Sequence, residues 1–76
     1  MTKYNGHKNW NHWNVSLWIN NDEGLYNLAR EYVRECKTKD DAALAMLEIL
    51  SDLGYNKTPD GAPYSKSSIR AAMVEM

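Results

Sequence analysis

The sequence predicts an all-α fold, a small single-domain bundle of about four helices with an irregular or hairpin-like loop before the last. Three observations carry that reading. Apolar residues recur at helical spacing in several separate stretches, and each stretch follows a residue of N-cap type: Asn9 or Asn11, Asp22, Thr38 and Ser65. Both prolines and two of the four glycines gather between Gly54 and Pro63, where the helical pattern stops.

The stretch Asn9 to Tyr26 contains all three tryptophans and can be read with two periods. Strict alternation puts Trp13, Val15, Leu17 and Ile19 on one face of a strand and exposes Trp18, which gives the alternative class, α+β with an N-terminal strand pair. Helical spacing puts Trp10, Trp13 or Asn14, Leu17, Trp18 and Asn21 on one stripe and buries all three indoles. Each buried ring removes roughly 150–250 Å² from water, so the helix is the preferred reading. Residues 1 to 8 are expected to form an extended arm with Tyr4 packed back on the core.

A second helix is expected from about Asp22 to Cys36, with Leu25, Leu28, Ala29, Tyr32, Val33 and Cys36 inward and Asn27, Arg30, Glu31, Arg34 and Glu35 in water. Thr38 and Asp41 have the spacing of a capping box, and open a third helix whose stripe is Ala43, Leu44, Met46, Leu47, Leu50 and Leu53. Gly54 stands where a left-handed cap ends it. Pro59-Asp60-Gly61 centres a turn or short hairpin. Ser65 then caps a short helix with Ile69, Ala72, Met73 and Met76 inward and Lys66 and Arg70 outward. The expected core joins Trp13, Leu17, Trp18, Leu25, Leu28, Tyr32, Leu47, Leu50 and Ile69.

Seventy-six residues make one domain, 1–76, with no room for a second core. Cys36 is the only cysteine, so no internal disulfide staples the chain, and a lone thiol fits a reducing cytoplasm. Three Trp and five Tyr, with no Phe, are the expected compensation in so small a core. The formal net charge is −1, and both halves are balanced, which gives neither a basic nucleic-acid footprint nor a polyanionic surface. No apolar run approaches the ~18 residues that span a bilayer, and Met-Thr-Lys-Tyr-Asn lacks the apolar stretch of a signal peptide. The expected location is the cytoplasm of the cell that makes the protein, with no membrane partner.

No catalytic set is apparent. His7 and His12 are five residues apart, neither on one helical face nor at a ligand spacing, and Cys36 closes an apolar stripe as a packed thiol. No enzyme activity, metal or cofactor is expected. The asparagines stand out more. Asn9, Asn20 and Asn21 suit caps and turns, whereas Asn11 and Asn14, interleaved with Trp10, His12 and Trp13, suit a polar-aromatic surface of the kind enriched at protein interfaces. Trp10, Asn11, His12 and Asn14 are therefore candidate partner-binding residues, joined by Asp40 and Asp41 as acids able to engage a basic groove locally.

Two resemblances extend this reading. Asn9-Trp10, Trp13-Asn14-Val15, Leu17-Trp18-Ile19 and Asn21-Asp22-Glu23 with Leu25-Tyr26 resemble a family of small phage and plasmid proteins largely of unknown function. That likeness implies a mobile-element accessory protein, and such proteins often block host defences. Leu50, Leu53, Gly54, Tyr55, Thr58, Gly61, Tyr64, Ser65, Ser68, Ile69 and Arg70 hold the places of a segment in the large serine recombinases. There the segment is a helix-turn-helix-like unit, which implies DNA contacts by Lys57, Lys66, Ser67 and Arg70; Asp60 and the acidic third helix depart from the basic habit of such units.

The expected function is stoichiometric inhibition of a host defence complex, a CRISPR effector above all, which would make this an anti-CRISPR protein in the host cytoplasm. The alternative is a small helix-turn-helix-like DNA-binding regulator, for which the three cations Lys57, Lys66 and Arg70 per protomer would call for a homodimer or another partner.

Overall fold

The structure, a computed structural model, describes residues 7–74 and residue 76. Four helices follow one another: α1 Trp10–Asn21, α2 Glu23–Glu35, α3 Lys39–Asp52 and α4 Lys66–Ala72. Residues 10–21 are helical, so the strand-pair alternative is not adopted, and the fold is all-α. The reading of Tyr4 against the core lies outside the described residues.

Every helix begins at a side-chain acceptor that satisfies an otherwise orphaned amide. Asn9 accepts from His12 N at 3.0 Å, Asp22 from Leu25 N at 3.0 Å, Thr38 from Asp41 N at 3.1 Å and Ser65 from Ser68 N at 3.1 Å. The reciprocal capping box is complete at α4, where Ser68 Oγ accepts from Ser65 N at 3.0 Å. A helix of seven residues is too short to persist by propensity, so α4 depends on this cap and on its packing. Asp22 serves twice: its amide closes α1 on Trp18 O while its carboxylate opens α2.

The four helices share one core, made of Val15 and Ile19 from α1, Ala29 from α2, Ala42, Ala43, Met46 and Leu50 from α3, and Ile69 and Ala72 from α4, with Met73 and Ala62. Leu25, Leu28, Tyr32, Val33, Cys36 and Leu47 pack around it half-buried, on the faces expected. Small alanines on α2 and α3 let neighbouring backbones approach, and α4 fits between α1 and α3.

Two stripes differ from expectation. In α1 the inward residues are Val15 and Ile19, flanked by Asn14 and Ser16, while Trp10 is 37 % and Leu17 is 38 % exposed and Trp13 and Trp18 are half-buried. The reason is that α1 carries apolar groups all round, so spacing alone does not choose its inner face. Packing chooses the slimmer branched side, which admits α4, and leaves the indoles at the margins, where the Trp18 N–H finds an acceptor in Asp60. In α3, Leu44 and Leu53 are exposed and Ala42 is buried, because Ala42, Ala43, Met46 and Leu50 already complete the stripe facing the other helices.

Beyond α3 the chain reverses through two left-handed glycines. Gly54, with φ +84°, ends the helix in a Schellman arrangement: Tyr55 N donates to Leu50 O at 2.8 Å and Gly54 N to Ser51 O at 3.0 Å. Gly61, with φ +98°, closes a hairpin of Pro59, Asp60 and Gly61, held by Gly61 N to Thr58 O and Thr58 N to Ala62 O and extended by a bridge between Lys57 and Pro63.

This hairpin is pinned to α1 by side chains. Asn14 Nδ2 donates to Asp60 Oδ2 at 2.8 Å, Trp18 Nε1 donates to the same oxygen at 3.0 Å, and Thr58 Oγ1 donates to Asn14 Oδ1 while accepting from Ala62 N at 3.0 Å. Asn14 is 1 % and Thr58 is 4 % exposed, so both ends of the Asn14 amide find partners where water does not reach. The two donors hold the Asp60 carboxyl below its ordinary value of 3.8.

Three outcomes follow for stability. Ile19→Ala is expected to cost about 2–5 kcal/mol in denaturant unfolding, and Leu17→Ala or Trp10→Ala under about 1 kcal/mol, because only the first opens a cavity. Asn14→Ala should cost about 1–3 kcal/mol by leaving the buried Thr58 hydroxyl without its acceptor. Because the Asp60 pKa is lower folded than unfolded, its tie is complete above the ordinary carboxyl range and is lost as pH falls through the lowered value. Thermal melts against pH should therefore show a loss in acid that Asp60→Asn, with one acceptor oxygen and no titration, reduces.

Candidate functional site

Three elements distant in sequence meet at one shallow groove. Its lining is His12 from α1, Asp40 from α3, Lys66, Ser67, Arg70 and Ala71 from α4, and Val74 beyond it, around an open volume of about 600 Å³. The caps account for this meeting. Asn9 sets His12 in the first turn of α1, Thr38 sets Asp40 and Asp41 in the first turn of α3, and Ser65 sets Lys66 and Ser67 at the start of α4. Ser68, Ile69 and Ala72 take the inner face of α4, so Lys66, Ser67 and Arg70 are left outward.

The groove is chemically paired. Ser67 Oγ lies 2.8 Å from His12 Nε2. Burial, then the charges of Lys8 and His7, lower the His12 pKa from its ordinary 6.5, which favours the neutral ring at pH 7, with Nε2 and the Ser67 hydroxyl sharing one hydrogen bond. Arg70 Nε forms an ion pair with Asp40 Oδ1, both side chains about half exposed. Lys39 Nζ donates to Val74 O at 2.7 Å and ties the chain after α4 to the start of α3. Val74 itself is 57 % exposed, which leaves an apolar patch beside charged and hydroxyl groups.

Of the candidate partner-binding residues, His12 and Asp40 come together here. Asp41 is exposed in the same first turn of α3, and Trp10 and Asn11 are exposed at the start of α1. Asn14 is corrected: it is buried against the Thr58–Asp60 hairpin and its amide is used there, so it is not available to a partner. The four DNA-contact candidates divide. Lys66, Ser67 and Arg70 line the same groove as His12, whereas Lys57 lines a second one, beside Trp18, Leu53 and Tyr55.

Sequence reasoning missed Val74, which lines the groove, and the Lys39 bond to its carbonyl, which ties the residues after α4 to the start of α3. It also missed the Trp18–Asp60 bond. Thr58-Pro59-Asp60-Gly61 was legible as a turn, but a turn motif does not name its partner forty-odd residues away.

A serine hydroxyl within reach of a neutral imidazole is the start of a nucleophile–base pair, yet the carboxylate in this groove is paired with Arg70 rather than with the ring. What the arrangement offers is a set of hydrogen-bonding and charged groups of both signs around an apolar patch. Among the described residues no three His, Cys, Asp or Glu side chains converge as a metal site, and no helix is long and apolar enough to cross a membrane.

None of the curated proteins and none of the solved structures matches the chain. A match to a family of unknown function, DUF7249, runs over residues 1–76, the whole of the sequence, and the chain belongs to that family.

Proposed function

We propose that the protein is a binding module that acts on a partner protein through the groove between α1, α3 and α4, with no bond made or broken. The observation that carries this reading is the convergence of His12, Asp40, Lys66, Ser67, Arg70 and Val74 on one exposed surface. Charges of both signs stand there, Arg70 paired with Asp40 and Lys66 beside them, and an exposed apolar residue, Val74, sits among them. Such a surface suits a protein, whose interface combines apolar anchors with paired polar groups. Exposed Trp10, at the start of the same helix as His12, is an aromatic anchor of the type that dominates binding energy.

The finer reading is that the partner is a host defence complex, a CRISPR effector first among them, blocked by stoichiometric association. It rests on the resemblance of the Asn-Trp, Trp-Asn-Val and Leu-Trp-Ile pattern to small phage and plasmid proteins. The balanced charge of −1 favours a block by shape and anchor residues over polyanionic mimicry.

DNA binding through α4 is the weaker reading. Firm phosphate binding draws on roughly six to ten neutralised phosphates, whereas here Lys66 and Arg70 are the cations of α4, Arg70 is already matched by Asp40, and Lys57 belongs to another groove.

The test is size-exclusion of the purified protein with purified effector complexes, beside retention from host extract. Co-elution at fixed stoichiometry in moderate salt is expected. Arg70→Ala and Val74→Asp should each weaken it by roughly 10- to 100-fold while leaving the melting temperature nearly unchanged. If no effector is retained and phage plating on defended cells is unaffected by expression of the protein, the defence reading is wrong. If instead the protein shifts duplex DNA in a salt-dependent way that Arg70→Ala removes, the DNA reading replaces it.

A further inference from the structure

The second groove is independent of the site above and has a different chemistry. It lies between the start of α2, the end of α3 and the hairpin, and its volume of about 570 Å³ falls in the roughly 300–1,000 Å³ range of small-molecule sites. Its lining is mainly apolar and includes three aromatic rings, Trp18, Tyr55 and Tyr64. Leu53 at 61 % and Tyr55 at 57 % exposure are the most open of its large apolar side chains.

Charge distinguishes this groove from a plain apolar cleft. Asp22 lines it, and Asp60 adjoins it next to Pro59, its carboxylate on the Trp18 indole N–H at 3.0 Å. Donating that N–H to an anion makes the indole ring more electron-rich, which strengthens its attraction for a cation over its face. Within the lining Lys57 offsets Asp22, so the net negative charge at the groove is that of Asp60 at its edge. Tyr64, whose pKa is raised by burial and then by Asp22, keeps its phenol protonated and adds no negative charge. The chain already uses the same attraction on its surface, where the Arg30 guanidinium stands 5.7 Å from the Tyr26 ring centroid.

We propose that this groove binds a small apolar cation, an aryl or alkyl body bearing one quaternary or tertiary ammonium. The apolar body would cover Leu25, Leu28 and Leu53, and the ammonium would take the aromatic faces and the carboxylate edge. A neutral ligand of the same shape gains only the burial. An anion meets the unfavourable field of Asp22 and Asp60.

Three probes of closely similar shape separate these cases: phenyltrimethylammonium, tert-butylbenzene and benzenesulfonate, each titrated into the full chain and followed by the Trp18 indole N–H resonance. The cation is expected to bind roughly fivefold or more tightly than its neutral isostere, with the anion weakest. Tyr55→Ala, at an exposed position that leaves the fold intact, should weaken the cation several-fold. Lys57→Gln should strengthen it, by removing the like charge. The proposal is overturned if the neutral probe binds as tightly as the cation, if the anion binds best, if Lys57→Gln weakens the cation, or if no probe saturates the Trp18 shift.

Discussion

The arrangement of the whole chain depends on one buried amide. Asn14 sits on α1 at the edge of the core, and its side chain is the point at which the hairpin between α3 and α4 is fastened: one end donates to Asp60, the other accepts from Thr58. The hairpin's backbone groups largely satisfy one another, but without that fastening the buried Thr58 hydroxyl would lose the acceptor for its proton, at a cost comparable to a lost hydrogen bond, and nothing polar would hold the hairpin against α1 at this point. With it, the hairpin becomes a lid over one side of α1, and the direction in which α4 leaves the hairpin is fixed. Ile69, Ala72 and Met73 then meet Val15 and Ile19, and the core closes. The polar node is thus upstream of the hydrophobic packing in a geometrical sense, although the packing supplies most of the stabilisation.

The same constraint explains why α1 is composed as it is. A surface helix usually has one apolar face, whereas α1 has Val15 and Ile19 on one side and Trp10 and Leu17 on the other, with Trp18 between core and hairpin. Trp18 belongs at that boundary because its ring is apolar and its N–H needs an acceptor; Asp60 provides one without the ring having to leave the protein. An indole placed at the centre of this core would have neither an acceptor nor room beside Met46, Leu50 and Ile69. The rings therefore frame the core and do not fill it, and the methionine, leucine and isoleucine side chains do the filling.

What the sequence made legible divides along this line. Helix starts were legible because Asn9, Asp22, Thr38 and Ser65 act within three residues of themselves, and so was the end of α3, since Gly54 is needed where φ is positive. The inner faces of α2 and α4 were legible because polar and apolar residues there alternate at one period. The inner face of α1 was read one step round, and that of α3 was read correctly at Ala43, Met46, Leu47 and Leu50 but too wide, because Leu17, Leu44 and Leu53 are as hydrophobic as residues that are buried and only the neighbouring helices decide between them. The groove of His12, Ser67 and Arg70 was legible residue by residue and not as a group. Its members had been divided between a protein-binding and a DNA-binding set, and it is the α1–α4 contact that unites them.

Both grooves ride on α1. His12 faces the polar one and Trp18, six residues on, the apolar one, a separation of about 9 Å along the axis at ~1.5 Å per residue. A shared helix would couple the two sites only if it had two positions to move between, since a ligand shifts nothing unless it distinguishes two states. Here α1 is held on one side by Val15 and Ile19 in the core and on another by Asn14 in the hairpin, both by groups with essentially no exposure. Displacing it would break packing and the polar node together. Nothing in this arrangement gives α1 a second position through which the two grooves would be coupled, so the proposed partner and the proposed cation would each be held with the affinity its own groove provides.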